Sequence, residues 1–293
     1  RGSAHRERWT FGQFLEESEI CTAGYCFILK KNERSLVMAV YTIVFSPTGG
    51  TKKAADLFAE AFCKDYVTID LTERGRDFSK DSFVQEDICI VAVPSYGGRV
   101  PDAAVSRLRQ MKGNGAGAIL MVVYGNRDYD DTLVELQDTL TDAGFSCVAA
   151  VASIAEHSIM RQFATGRPDA QDAQELSDFA GQIRRKMEEG TGSGKVVLPG
   201  NHPYKSYGGV PMKPQVGKSC TRCGRCEREC PVGAIRADDP TVTDNAACIS
   251  CMRCIAVCPQ KARSVSKVLL AAGSMKLKKE CSGYKRNEVF LPR

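Results

Sequence analysis

Eight cysteines packed between Cys220 and Cys258 constrain this chain more than any other feature. They form two runs of C-x2-C-x2-C-x3-C-P: Cys220, Cys223, Cys226, Cys230 and Pro231 recur 28 residues later as Cys248, Cys251, Cys254, Cys258 and Pro259. Three thiols at that spacing wrap a loop around one face of an iron–sulfur cube, one thiolate per iron. The fourth points away and ligates the neighbouring cube. Cys220, Cys223, Cys226 and Cys258 are therefore assigned to one 4Fe–4S cluster, and Cys248, Cys251, Cys254 and Cys230 to a second. Zinc also takes four thiolates, but its sites use two C-x-x-C pairs separated by a loop, not a four-cysteine run closed by proline.

The other six of the 14 cysteines are scattered. Charged residues such as Arg6, Glu16, Lys30 and Arg34 interrupt every apolar stretch before Met38, so no secretory signal is read there. The first sustained apolar run, Leu36 to Phe45, is too short to span a membrane. Clustered cysteines in such a chain read as metal ligands in a reducing, cytoplasmic setting rather than as a disulfide framework. The net charge of +5 hides an asymmetry: residues 38–189 carry an excess of seven acidic side chains and residues 190–293 an excess of eleven basic ones. A basic half can mark nucleic-acid binding. Here the negative charge of thiolate-bound clusters is the better reason for it, since no helix-turn-helix or aromatic–basic motif accompanies it. The acidic and basic halves are also expected to attract each other.

From Met38 apolar strands alternate with helices. Val40–Phe45, Tyr66–Leu71, Ile88–Val93, Ala118–Tyr124 and Cys147–Ile154 read as strands. Helices are expected after residue 51, with Ala54, Leu57, Phe58, Ala61 and Phe62 on one stripe, and over Val100–Met111, Asp130–Ala143 and Asp172–Glu189. Strands that are apolar throughout and alternate with helices imply a five-stranded parallel sheet covered on both faces, a doubly wound α/β domain over residues 38–190. Residues 191–215 read as a partly packed linker, residues 216–265 as the small α+β cluster domain and residues 266–293 as a basic tail with a short helix at Lys267–Leu277. Residues 1–37 are expected to stand outside the fold, with Met38 as the natural start.

Three loops at carboxyl ends of strands carry the second functional signal, because doubly wound sheets bind ligands there. In Ser46-Pro47-Thr48-Gly49-Gly50-Thr51 the hydroxyls of Ser46, Thr48 and Thr51 can donate to phosphate, and Gly49 and Gly50 let backbone N–H groups approach at a helix N-terminus. Neither a Gly-Lys-Ser/Thr ending nor G-x-G-x-x-G is present, which disfavours nucleoside triphosphates and dinucleotides at this turn. Pro94-Ser95-Tyr96-Gly97-Gly98-Arg99 and Tyr124-Gly125-Asn126-Arg127-Asp128-Tyr129 each pair an aromatic ring with glycine. Two such loops beside a phosphate loop favour a planar aromatic cofactor.

The first of these loops resembles the hydroxyl-rich phosphate loop of flavodoxins, and the cysteine runs resemble a bacterial two-cluster ferredoxin. In that order the two are similar to the fused flavodoxin–ferredoxin family of anaerobic bacteria and archaea, a likeness covering residues 38–293 and including Arg286-Asn287-Glu288 and Phe290. The resemblance implies a flavodoxin-like fold and FMN held by Ser46, Thr48, Gly49, Gly50, Thr51, Ser95, Tyr96, Gly97, Gly98, Gly125, Asn126 and Tyr129. Tyr96 and Tyr129 would flank the flavin ring, with the Gly97 backbone near its N5.

Electron transfer between two 4Fe–4S clusters, FMN and a redox partner protein or small acceptor is the expected function. The alternative is a flavin-dependent reductase of a small acceptor such as a quinone, fed by the ferredoxin domain. No nucleic acid or membrane is expected to take part. His157 reads as a structural histidine; Cys63, Cys89 and Cys147 read as core residues and Cys281 as a free thiol. Lys276, Lys278 and Lys279 read as a solvated face.

Overall fold

The computed structural model describes residues 25–31, 34–189 and 194–293. Strand β2 (Arg34–Val44) enters the core, and the chain turns into α1 (Gly50–Phe62), whose Ala54, Ala55, Phe58, Ala59 and Phe62 are buried. Then come β3 (Val67–Asp70), β4 (Ile88–Pro94), α2 (Asp102–Leu108), β5 (Gly117–Tyr124), α3 (Thr132–Asp142), β6 (Ser146–Ile154) and α4 (Ala170–Glu188). β2 pairs in parallel with β3 and β4, β4 with β5 and β5 with β6. The parallel strands thus run in the order 2-1-3-4-5, the flavodoxin-like variant of the doubly wound sheet. β5 is buried along its whole length and β4 up to Pro94, as strands covered on both faces require. Two apolar cores lie on the two faces, one around Phe45, Leu120 and Leu133, the other around Phe58, Ile90 and Leu176.

Three features depart from the sequence reading. Strand β1 (Tyr25–Lys31) pairs antiparallel with the leading half of β2, so residues 25–31 and 34–37 join the sheet. The rest of the segment expected outside the fold lies beyond the described residues. The helix expected over Val100–Met111 is shorter, Asp102–Leu108, with Pro101 at its N-cap. The C-terminal segment is more than a basic tail: α7 (Lys267–Cys281) is followed by β9 (Glu288–Phe290), which pairs antiparallel with β6 and closes the sheet edge. Asn287 fixes that return. Its Oδ1 accepts from Ile154 N–H at 3.0 Å, and its Nδ2 donates to Asp172 at 2.9 Å and Glu175 at 2.8 Å.

The cluster region folds between these elements. β7 (Gln215–Val216) pairs with β8 (Arg263–Ser264), and the short helices α5 (Arg225–Arg228) and α6 (Arg253–Ala256) follow the second position of each cysteine loop and carry the third. No helix among the described residues is long and apolar enough to cross a membrane.

Candidate redox centres

The cysteine repeat is present in the backbone as well as in the sequence. Arg222, Gly224 and Gly233 have φ of 56°, 74° and 66°; 28 positions on, Ser250, Met252 and Lys261 have 54°, 63° and 48°. A non-glycine residue in this region is strained and persists where its surroundings over-determine it. Here it winds each loop around a centre. The Ala234 N–H donates to Cys230 Sγ and the Ala262 N–H to Cys258 Sγ, both at 3.3 Å, and the Arg222 N–H reaches Cys220 Sγ at 3.4 Å. Such bonds to sulfur are one of the means by which a protein sets a cluster's potential.

Two enclosed cavities result. Cys220, Cys223, Cys226 and Cys258 line one, with Arg222 and Arg225 on its wall. Cys230, Cys248, Cys251 and Cys254 line the other. The structure thus brings together the crossed sets expected from the spacing. Each set of thiols rings a cavity. Cys223 is exposed while Cys230 and Cys251 are buried, so the first cavity lies nearer the surface. Burial pushes the Cys251 thiol up to about 12 and Cys254 up to about 11. Without iron both keep their protons at neutral pH, and coordination must displace them.

The second centre lies at the carboxyl ends of the parallel strands. Gly49 takes φ 92° at the head of α1, with open space beyond it. Ser46 Oγ accepts from the Lys52 N–H at 2.9 Å, which draws the loop into a cup. The first-turn N–H groups of a helix have no helical partners, so this cup suits a phosphate. A cleft runs on from it, lined by Thr48, Gly50 and Thr51, by Ser95 and Tyr96, by Gly125, and by Glu156, His157 and Ser158. The last three were not expected in the site. His157 Nδ1 accepts from the N–H groups of Ile159 and Met160 at 3.1 and 3.2 Å, and burial lowers its pKa to about 4. It therefore orders its loop as a neutral ring.

Tyr96 and Arg99 close a two-residue turn, each N–H donating to the other's carbonyl. Gly97 and Gly98 between them have φ 62° and 88°, the type I′ pattern that glycine adopts without strain. Ser95 Oγ lies 2.8 Å from Thr132 Oγ1. Two residues expected to hold the cofactor point away from the cleft. Asn126 turns toward the C-terminal segment, donating to the carbonyls of Cys281 and Gly283 at 2.6 and 2.8 Å. Tyr129 turns into the core, 8% exposed, edge-on to Tyr124 at 5.2 Å with its hydroxyl 3.3 Å from the Glu288 carboxylate. It does not flank the cleft.

A segment read only as a linker lies there instead. Asp131 accepts from the N–H groups of Asn201 and Lys205 at 2.9 and 2.7 Å, and Asp138 from His202 and Tyr204. Arg99 donates to the Lys205 carbonyl at 2.8 Å and lies over the Tyr204 ring at 4.9 Å. These contacts strap residues 201–205 across α3 and lay the Tyr207 ring on Gly97: a Cβ built on that glycine would stand 2.2 Å from it. The only sequence signal was the pair of tyrosines in a Gly- and Pro-rich stretch.

The two centres adjoin. Burial pushes the Tyr96 hydroxyl well above its usual range, and the nearby Cys251 thiol and Tyr207 hydroxyl push it further. Arg253, between Cys251 and Cys254, donates to the Pro47 carbonyl at 3.2 Å and pairs with Glu229. Ile249 packs against the sheet core. The Cys248 set therefore meets the cleft, and the Cys220 set lies beyond it.

Comparison with known proteins matches residues 219–263 to the 4Fe-4S dicluster domain. Ferredoxin-2 of Chlorobaculum tepidum is 42% identical over 55 residues, covering 16% of this chain and 89% of the ferredoxin. A subunit of the ion-translocating oxidoreductase complex of Methanosarcina acetivorans is 48% identical over 44 residues, which is 15% of this chain and only 17% of that protein. Among solved structures, a Streptococcus pneumonia TIGR4 flavodoxin covers 50% of this chain and 99% of its own at 22% identity and a TM-score of 0.37. Flavodoxin 1 of Bacillus cereus covers 50% of this chain and 97% of its own at 15% identity and a TM-score of 0.36.

Proposed function

Since residues 219–263 make this chain a member of the two-cluster 4Fe–4S ferredoxins, fused behind a flavodoxin-like domain, we propose that it carries electrons between two clusters, FMN and an external redox partner. Clusters exchange one electron at a time and FMN one or two, so the pair can join one-electron donors to two-electron acceptors. The observation that carries the reading is the seating of the Cys248 loop on the cleft: Arg253, which lines the Cys248 cavity, donates to the carbonyl of Pro47, which lines the cleft.

In this reading Cys220, Cys223, Cys226 and Cys258 hold the outer cluster and Cys230, Cys248, Cys251 and Cys254 the inner one. Thr48, Gly50 and Thr51, with the α1 N-terminus, hold the phosphate; the Ser95–Gly98 turn and Gly125 bound the ring. Cys230 and Cys251 of the inner set are buried, and Cys248 and Cys254 half-buried. The partner meets the outer set, where Cys223 reaches the surface. Anaerobic purification of the full chain, with iron, sulfide and released flavin measured, tests this. About eight irons and one FMN per chain are expected. Iron without flavin, or zinc in its place, overturns it.

A further inference from the structure

We infer that Tyr207, on the strap between the two domains, is the second aromatic wall of the flavin site. This rests on the FMN reading above and goes beyond it by assigning the ring contact to a residue outside the flavodoxin-like domain. Tyr129, the candidate on the third loop, has no freedom to serve: its ring is packed on Tyr124 and its hydroxyl is engaged by Glu288. Tyr207 is placed where Tyr129 is not. Its ring covers Gly97, the turn residue next to Tyr96.

Its position is built rather than incidental. Three acidic residues at the head of α3 and along it hold the strap: Asp130 through Lys205 Nζ at 2.9 Å, Asp131 through two backbone N–H groups, and Asp138 through His202 and Tyr204. Asp131 is 1% exposed, and a buried carboxylate is kept only where it is bonded. Two residues beyond Lys205 the strap delivers Tyr207. It then runs on to Val210, whose carbonyl accepts from Ser250 at 3.4 Å, and to Met212, which packs with Met252. One short segment thus touches the flavin turn at one end and the inner cluster loop at the other. A planar ligand lodged in the cleft beside this turn would have Tyr96 on the turn and Tyr207 on the strap as its aromatic neighbours, and stacked aromatic pairs contribute beyond the area they bury.

The test is FMN dissociation from the anaerobically purified, cluster-loaded chain, followed by flavin fluorescence on dilution, with the visible circular dichroism of bound FMN as a second readout. Tyr207→Ala should weaken FMN binding about tenfold and change the dichroism of the flavin bands. Tyr207→Phe, which keeps the ring, should restore both. Cluster absorbance reports that the fold is intact. Unchanged affinity and dichroism in Tyr207→Ala overturn the inference while leaving the flavin reading standing. Tighter binding in Tyr207→Ala also overturns it, because Tyr207 would then be competing for the ring's place. Wild-type protein that binds no FMN overturns the flavin reading itself, and this inference with it.

Discussion

The crossed ligation proposed here makes a prediction about pairs of substitutions. Cys230 rings one cavity with Cys248, Cys251 and Cys254, although it lies in the other run. Cys230→Ala and Cys248→Ala should therefore damage the same cluster, and the double variant should lose no more iron than either single one. Cys230→Ala combined with Cys220→Ala strikes both cavities. Two four-iron clusters give about eight irons per chain, so the same-cavity double should keep about four and the cross-cavity double about none. Sites that act as one unit fail to add in this way, whereas independent sites add. Iron and sulfide analysis of anaerobically purified variants, with the visible absorbance of each single variant as baseline, supplies the count. The reverse result would refute the reasoning: an iron-free Cys230/Cys248 double beside a Cys230/Cys220 double that retains about four irons would mean that each run encloses its own cluster.

Asn287→Ala should strip Ile154 N–H, Asp172 and Glu175 of buried partners and cost about 3 kcal/mol, lowering the thermal midpoint by roughly 6–12 °C; an unchanged melting curve would rule the return strand out as a stabilising element. Gly98→Ala places a Cβ 2.1 Å from Asp130 Oδ2 at φ 88° and should cost at least about 2 kcal/mol in denaturant unfolding. Burial by itself would raise the pKa values of Asp131, Asp172 and Glu175. The hydrogen bonds from Lys205 and Asn201, from Arg167, and from Asn287 and Arg286 nonetheless hold all three below the usual carboxylate range. Groups with lowered folded pKa values contribute fully above the unfolded value of about 4 and lose that contribution as pH falls through the folded one. The thermal midpoint should thus be insensitive to these groups from about pH 8 to 5 and fall below about pH 4; a midpoint that rises on acidification would contradict the assignment.

What the sequence made legible was what local chemistry determines. The C-x2-C-x2-C-x3-C-P spacing gives the crossed cavities because short loops leave a thiol little choice of direction. The alternation of Ile88–Val93 and Ala118–Tyr124 with helices gives the parallel sheet because strands covered on both faces must be apolar throughout. The cup at the head of α1 follows from Ser46 and Gly49 for the same local reason. Tyr129 was misread because an aromatic residue in a ligand loop looks the same whether it faces the cleft or the core. It packs in the sheet core, with its hydroxyl meeting Glu288, 159 positions away. Asn287 and Tyr207 were illegible in their roles for the same reason: nothing in their immediate sequence says that the tail returns to β6, or that three aspartates of another helix region hold the strap.

The charge asymmetry was expected to join the two halves, and the structure distributes that attraction unevenly. Lys205 pairs with Asp130 and Arg286 with Glu175, so the basic excess of the strap and tail is used against the acidic sheet domain. The cluster body contributes differently. Its salt bridge to the sheet domain has the opposite polarity, Arg74 of the sheet domain with Glu227 at 2.7 Å. Around the outer cavity Arg222 and Arg225, with Lys218 and Lys261 flanking the cysteine loops, are exposed and form no salt bridge among the described residues. Cations that served only to offset cluster charge would be needed most around the buried inner set; these stand at the surface, beside exposed Cys223. Such a rim suits an acidic redox partner and should act mainly on encounter. Reduction of the chain by an acidic electron-carrier protein, followed by stopped flow, should slow about tenfold or more between roughly 0.02 and 0.5 M salt, as screening shortens the reach of exposed charges. Arg222→Ala with Arg225→Ala should flatten that slope while leaving iron content unchanged. A rate independent of salt in the wild-type chain would show that the rim does not steer the partner and would move the docking surface elsewhere.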